Sequence, residues 1–271
     1  MKRSLYLRLR SAVFSPGMLA SVMAGVILLM WFSVNTRLNM RRIIGPVPLF
    51  DTDEYFLNSI YNSHAMSGFD LFAPILAVLP ASTLFCGDYN SGYVKEILLR
   101  TDRKRYMRET VICSTIAGGL GVFLPSLITS AVFIAGGRPM LQENLMPGEV
   151  TLLDGTPFAG MQFIWNGGLV VVILLVLAFL FGAVWSNIGL CISAFSPNRY
   201  VSLAAPFAVY YGLHLFCYRM GSLIVFSPVN TLMPMVDFLP GIVYLFIYQG
   251  ILLAVSIVLF HAAAGRRLRD V

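Results

Sequence analysis

The residues best placed for a specific task lie in one polar tract, 88–108, which has apolar segments on both sides. Within it, Val94, Ile97 and Leu98 recur at the spacing i, i+3, i+4, which predicts a short helix with one apolar face. Gly92 precedes this helix and permits a sharp turn. These residue types are suited to contact with another protein rather than to making or breaking covalent bonds, because they form an apolar ridge with positive charge beside it. The basic residues of the tract are Lys95, Arg100, Arg103, Lys104, Arg105 and Arg108.

Two interpretations of this tract are open from the residues alone. In the first, the ridge of the helix fits a groove on a cytoplasmic ATPase. In the second, the basic residues form a topology anchor that lies at the lipid headgroups. The spacing of the residues favours neither interpretation over the other.

The chain contains none of the motifs that would indicate a catalytic or metal site of its own. It has no HExxH, no GxSxG and no GxxxxGKS or GxxxxGKT motif. Its three histidines, His64, His214 and His261, are far apart in the sequence, and its four cysteines have no CxxC spacing. We therefore expect no catalytic residues and no metal ligands, and any ATP dependence must come from another polypeptide.

The composition is that of an integral membrane protein. Of the 271 residues, 58% are hydrophobic and 12% are charged, and the mean hydropathy is +0.77. Soluble domains contain only about 45–50% apolar residues. The net charge of +6 does not indicate nucleic-acid binding, because the basic residues lie in the turns between apolar segments.

Six apolar segments are long enough to cross a bilayer as helices of about 20 residues. They predict an all-α polytopic membrane protein with a single transmembrane domain over 14–262. Ahead of it, residues 1–13 have the pattern of an amphipathic helix at the membrane interface, and 263–271 form a basic tail. The second segment is the weakest, since it is short and contains Pro80. The six segments are 14–34, 69–87, 110–136, 167–195, 200–226 and 240–262.

The distribution of Lys and Arg predicts the orientation in the membrane. If the N-terminus is inside, six crossings assign 14 of the 19 basic residues to the cytoplasmic side, as the positive-inside rule requires. Six of these 14 lie in the loop 87–109. We therefore expect a multi-pass protein of the cell membrane with both termini and this loop in the cytoplasm.

The predicted spans contain almost no acidic residues or lysines. Ion-coupled carriers generally keep such residues inside their spans for the ion or proton path. Asp70 lies at the end of a span, and Arg219 lies about 30 Å from Arg199, at the opposite interface. This pattern argues against secondary transport and favours a permease whose energy is delivered from outside the membrane.

The polar tract also has a recognisable order: an acid–aromatic pair, a glycine, an aliphatic–lysine step, a Leu-Leu pair and a basic cluster. These residues are Asp88, Tyr89, Gly92, Val94, Lys95, Ile97, Leu98, Leu99, Arg103, Lys104, Arg105 and Tyr106. Together with the N-terminal helix, the six spans and the Ser227-Pro228 step, they resemble the permeases of the type-2 ATP-binding cassette (ABC) exporter family. The family usually has Glu at position 88 and Thr at position 93, so the resemblance does not extend to a substrate subfamily.

The resemblance implies a cytoplasmic coupling helix between spans 2 and 3, moved by two cytoplasmic ABC ATPase subunits. It also implies a second copy of this chain, or a homologous permease, beside it in the lipid bilayer. ATP and Mg²⁺ would bind to the ATPases, so this chain would be no enzyme and would need no cofactor. The residues that the resemblance assigns to ATPase coupling are Gly92, Tyr93, Val94, Lys95, Glu96, Ile97, Leu98, Arg103 and Arg105.

A rival hypothesis is a membrane sensor or assembly factor, which would dock a cytoplasmic partner without moving a substrate. An ion-coupled carrier is the least favoured hypothesis. An ATPase with a phosphate loop, encoded next to this chain, would distinguish the exporter from both.

The cargo is not fixed by any motif, and no substrate-binding residue can be assigned. The spans offer small, hydroxylated and aromatic residues without fixed charge, which favours export of an amphipathic or hydrophobic peptide, drug or lipid over a charged metabolite. The same residue types also serve helix packing in membranes. They include Ser114, Thr115, Ser126, Thr129, Ser130, Trp185, Ser186, Asn187, Tyr210 and Tyr211.

Overall fold

The computed structural model describes residues 2–44, 55–81, 84–139, 153, 155–232, 234 and 239–268. Within these ranges the chain is mostly helical and contains no β-strand. Its α-helices are α1 Lys2–Val13, α2 Pro16–Ile44, α3 Phe56–Met66, α4 Phe69–Val78, α5 Leu84–Asn90, α6 Tyr93–Leu98, α7 Arg103–Gly136, α8 Gly168–Phe195, α9 Arg199–Met220 and α10 Ile242–Arg267. Short 3-10 helices cover Met161–Gly167, Ile224–Phe226 and Pro228–Thr231.

Among the described residues, five helices are long and apolar enough to cross a membrane: α2, α7, α8, α9 and α10. They coincide with five of the six predicted spans, so the prediction of an all-α, multi-pass membrane protein is confirmed. The fifth predicted span is shorter than expected, because α9 ends at Met220 and 3-10 turns follow. In contrast, α10 extends to Arg267, into the predicted basic tail, of which 269–271 lie outside the described ranges.

The predicted second span, 69–87, is not one helix. Helix α4 ends at Val78, a turn follows at 79–81, and α5 begins at Leu84. Pro80 lies at this break, where it has no backbone N–H to donate to the carbonyl four residues earlier. The ten residues of α4 are about 15 Å long, which is half of a hydrocarbon core of about 30 Å.

The described residues 55–81 and 84–88 nevertheless lie beside α7 from one of its ends to the other. At the end of α7, the backbone amide of Phe56 donates to the carbonyl of Arg138 at 3.1 Å. At its start, the hydroxyl of Tyr106 donates to the carboxylate of Asp88 at 3.0 Å. These contacts lie about 48 Å apart along α7. The length of the bundle is therefore traversed by α3, α4 and α5 in series, including α3, which the sequence analysis placed in a connection.

The middle of the bundle is held by a close approach of α7 and α8. A Cβ atom at Gly182 would overlap the backbone carbonyl of Gly118, and the side chain of Ser186 lies against the same glycine. The hydroxyls of Ser114 and Ser186 form a hydrogen bond of 2.8 Å across the contact. Small residues that let two backbones approach are the usual basis of helix packing in membranes.

Both ends of the described chain lie at the same end of the bundle. Arg8 of α1 and Arg267 of α10 each contact α5, through Asp88 and Tyr89. We call this the coupling end, and it comprises α1, α5, α6, the start of α7 and the last turns of α8 and α10. A buried apolar cluster built around Phe85 fills the space between these elements.

Candidate coupling segment and its anchoring cluster

The coupling segment consists of α5, α6 and the turns that join them to each other and to α7. Gly92 has φ +74°, a left-handed conformation that side chains rarely adopt. Its amide donates to the carbonyl of Tyr89 at 3.1 Å, and the hydroxyl of Ser91 donates to that of Gly87 at 2.9 Å. The sharp turn and the short helix expected at this position are therefore present.

Asp88 is the centre of a polar cluster that ties the segment to α1 and α7. Arg8 Nη2 lies 2.6 Å from Asp88 Oδ2, and the hydroxyl of Tyr106 donates to the same oxygen. The guanidinium of Arg8 lies 4.8 Å from the centre of the Tyr106 ring, which is a cation–π geometry. We call these three side chains the anchoring cluster, and each of its members contacts the other two.

The anchoring cluster is largely buried, since the side chains of Arg8 and Asp88 are 18% and 19% exposed. Burial raises the pKa of the Asp88 carboxyl, whereas the charge of Arg8 and the hydrogen bond from Tyr106 lower it. Burial has the larger effect, so the pKa lies above its ordinary value of 3.8. In such a site, removal of one partner leaves the others with unsatisfied polar groups.

A second set of contacts joins the segment to α8 and α10. The guanidinium of Arg267 lies 3.9 Å from the centre of the Tyr89 ring, and its Nη1 donates to the carbonyl of Ala194 at 3.1 Å. Because Ala194 belongs to the last turn of α8, this cation also faces the negative end of the helix dipole. The side-chain amide of Asn90 donates to the carbonyl of Pro197 at 2.7 Å.

The apolar face of α6 packs against the bundle. Val94 is 1% exposed and belongs to the buried cluster that contains Phe85 and Tyr106. Ile97 and Leu98 are half-buried against the same cluster. The apolar ridge expected from the sequence therefore exists, but it faces the protein interior, where its burial removes apolar surface from water. Val94 has no surface left for a partner, and Ile97 and Leu98 retain only part of theirs.

The exposed surface of this segment lies on the opposite side of α6. We call it the docking ridge, which consists of Tyr93, Lys95, Glu96, Leu99 and Arg100, all exposed. Leu99 is the most exposed large apolar residue of the segment, at 87%. Beside it lies a cavity of about 520 Å³, lined by Lys95, Leu98, Leu99, Thr101, Asp102 and Arg103.

The two basic residues expected to give electrostatic support differ in their surroundings. Arg103 is exposed and lines the cavity beside the docking ridge. The Nε of Arg105 lies 3.0 Å from Glu109 Oε1 on the same helix, at the i, i+4 spacing that favours such pairs. The charge of Arg105 is therefore balanced within α7, whereas that of Arg103 faces the cavity.

Sequence reasoning did not assign a role to Arg8 or Arg267, although the structure brings both to the coupling segment. Asp88 was the signal in the sequence that could have indicated such a contact. It follows the apolar run 84–86 so closely that its carboxylate is expected to be partly buried, and a buried carboxylate needs a cation beside it. The sequence does not indicate which arginine supplies it, because Arg8 lies 80 positions away. Sequence reasoning also left Leu99 out of the coupling set, although Leu99 is one of the residues that carry the family resemblance.

Within the described ranges, no three His, Cys, Asp or Glu side chains are grouped so that they could hold a metal ion. The cysteines Cys86, Cys113, Cys191 and Cys217 are buried free thiols. Comparison of the chain with protein-family models, with curated proteins and with solved structures found no match. The geometry of the coupling end is therefore the basis for a functional proposal.

Proposed function

We propose that this chain is the membrane-spanning permease subunit of an ABC exporter. It crosses the membrane six times, with α3 and α4 in series forming the second crossing, and its termini and coupling segment face the cytoplasm. Two such permeases, identical or homologous, bind two cytoplasmic ATPase subunits, which hold the ATP and Mg²⁺. The chain itself catalyses no bond chemistry, and its role is alternating access.

The observation that carries this proposal is the way in which the coupling segment is attached. Arg8, Tyr106 and Arg267 connect it to three long helices and to α1, while the docking ridge on its other side is exposed. A force applied to α6 would therefore reach α7 through the hydroxyl of Tyr106, and α8 and α10 through Arg267. A topology anchor at the headgroups would need the basic charges but not these contacts.

The docking ridge is suited to a protein partner rather than to lipid alone. It combines the apolar side chains of Tyr93 and Leu99 with charges of both signs, from Lys95, Glu96 and Arg100. Mixed charge around an apolar residue supports specific contacts, whereas binding to anionic headgroups would require positive charge only. The adjacent cavity of about 520 Å³ gives room for a side chain of the partner.

The cargo part of the proposal is an amphipathic or hydrophobic molecule. Many of the hydroxylated residues considered for the cargo path are used in packing, as in the hydrogen bond of 2.9 Å from the Asn187 side chain to the Thr115 hydroxyl. A column of aromatic rings is available instead on α9. Its rings follow one another at centroid distances of 6.1 to 6.3 Å, and they belong to Phe207, Tyr211, His214 and Tyr218.

A photo-crosslinking experiment tests the coupling role. A benzophenone amino acid replaces Leu99 on the docking ridge or, as a matched control, Trp165, which is 75% exposed and lies before α8 at the other end of the bundle. Irradiation of intact cells should join position 99, but not position 165, to a polypeptide that contains a GxxxxGKS or GxxxxGKT phosphate loop. Crosslinking of position 99 only to proteins without this loop would instead support a sensor or assembly factor.

A further inference from the structure

A second cavity, of about 830 Å³, lies between the start of α7 and the last turns of α10. We call it the basic groove. Its charged and polar lining consists of Asp102, Arg103, Lys104, Arg105, Arg108 and His261. It shares Asp102 and Arg103 with the cavity beside the docking ridge, but it extends along α7 rather than α6.

Among the described residues, the basic groove has an excess of positive charge that no acidic side chain balances. The charge of Arg105 is balanced by Glu109. Arg103, Lys104 and Arg108 are exposed, and none of them pairs with an acidic side chain in the described part of the chain. Lys104 and Arg108 are four residues apart and so lie on one face of α7. Asp102 is the single acid in the lining, so two positive charges are left for a ligand.

The groove lies at the depth of the lipid headgroups if the long helices cross a bilayer. On α10, His261 is the first His, Lys or Arg after the start of the helix at Ile242, and the stretch 242–260 before it is about 28 Å long, close to a hydrocarbon core of about 30 Å. On α7, the apolar segment begins at Thr110, directly after the basic residues. Both walls of the groove therefore change from polar to apolar at the same level.

An exposed apolar stripe leads away from the groove along α10. The stripe begins at Val258, three residues before His261, and continues through Ala254 and Ile251 to Ile247. Because the spacing alternates between four and three residues, these side chains lie on one face of the helix. All four residues are exposed. A phosphate that binds in the groove would thus have a path for a hydrocarbon chain directly below it, which a soluble anion would not use.

We propose that the basic groove binds the headgroup phosphate of an anionic phospholipid in the inner leaflet. Lys104 and Arg108 bind the phosphate from α7, His261 closes the site from α10, and one acyl chain lies along the stripe. Basic pockets between membrane helices on the cytoplasmic side are a known means of binding anionic headgroups. The site requires a membrane-inserted chain with this end inside, but it does not depend on an ATPase partner.

The test uses the full-length chain, purified in a mild neutral detergent, and measures binding of phosphatidylglycerol and phosphatidylcholine by native mass spectrometry. The groove variant is Lys104→Gln/Arg108→Gln. The matched control, Arg199→Gln/Arg266→Gln, removes two exposed charges from the same end of the bundle but outside the groove. We expect phosphatidylglycerol to bind more tightly than phosphatidylcholine, and the groove variant to weaken phosphatidylglycerol binding about tenfold or more. The control should bind both lipids as the parent does.

Three results would overturn the lipid site. Equal weakening in both double variants would mean that the lipid follows the overall charge of this end and not a built site. Equally tight binding of soluble glycerol 3-phosphate would mean that a free phosphate, rather than a lipid, is the ligand. Unchanged phosphatidylglycerol binding in a groove variant that no longer binds a cytoplasmic protein would assign the groove to that protein.

Discussion

Helix α7 is attached to the rest of the bundle in two different ways along its length. At its middle, Gly118 meets Gly182 and Ser186 of α8 with almost no side chain between the backbones. At its start, Tyr106 meets Asp88 and Arg8 through long polar side chains. The first contact fixes the distance between two helices, whereas the second can change its geometry by rotation of side chains without loss of backbone packing.

This difference indicates which parts of the molecule move together. Close backbone packing resists displacement, because interiors are dense and a small shift costs many contacts at once. A cluster of an arginine, a carboxylate and a tyrosine is held by directional contacts between side chains. We therefore expect α7 and α8 to move as one unit, and a displacement of the coupling segment to reach that unit through these contacts.

The largest effect should come from Gly182→Leu. The added side chain would overlap the backbone of α7, so the two helices would have to separate, at a cost of about 3 kcal/mol or more. We expect loss of most folded protein, measured as the monodisperse fraction in size-exclusion chromatography and as a lower Tm in detergent.

Gly250→Leu in α10 is the matched control, because a Cβ atom at Gly250 meets no other atom within 4 Å. This variant should fold like the parent. If both variants had the same Tm as the parent, the close approach of α7 and α8 would not be the rigid centre of the bundle.

A smaller effect is expected from Asp88→Ala in the anchoring cluster. The substitution leaves the guanidinium of Arg8 and the hydroxyl of Tyr106 without their acceptor in a largely buried site, at a cost of about 1–3 kcal/mol. We expect a lower Tm and reduced coupling of ATP hydrolysis to transport in the assembled exporter.

Asp102→Ala is the control for this change, since Asp102 is exposed and forms no side-chain cap at the start of α7. Its Tm should stay close to that of the parent. An equal loss of stability in the two variants would show that acidic charge in this region matters, and not the geometry of the anchoring cluster.

The smallest effect concerns pH and Asp88→Asn. Because burial raises the pKa of Asp88, the folded state binds the proton more tightly than the unfolded state, so stability falls as the pH rises from the unfolded-state pKa through the folded pKa and is constant above it. An asparagine keeps an oxygen acceptor for both Tyr106 and Arg8 and has no charge of its own to bury, and the net rise in the pKa of Asp88 already includes the opposing effect of Arg8. The Tm of Asp88→Asn should therefore exceed that of the parent at pH 7, and the difference should shrink as the pH falls towards 4. A difference that is independent of pH would mean that the carboxyl does not titrate in this range.

The sequence by itself determined the features that depend on local composition. Long apolar runs fixed α2, α7, α8, α9 and α10, because about 20 consecutive apolar residues have few stable alternatives to a membrane helix. The break after α4 could also have been anticipated, since Pro80 cannot lie in the interior of a straight helix. The turn at Gly92 and the short helix α6 follow from the conformational freedom of glycine and from the i, i+3, i+4 spacing.

Only the tertiary structure decided which side of α6 faces the interior of the protein and which residues attach the coupling segment to the bundle. Helical spacing places Val94, Ile97 and Leu98 on one face, but it cannot state whether that face meets a partner or the chain's own core. The packing around Phe85 decides this, and it moves the exposed surface to Leu99 and its neighbours. In the same way, no local pattern links Asp88 with Arg8 or Tyr89 with Arg267, because these partners are brought together only by the assembly of α1, α5 and α10 at one end of the bundle.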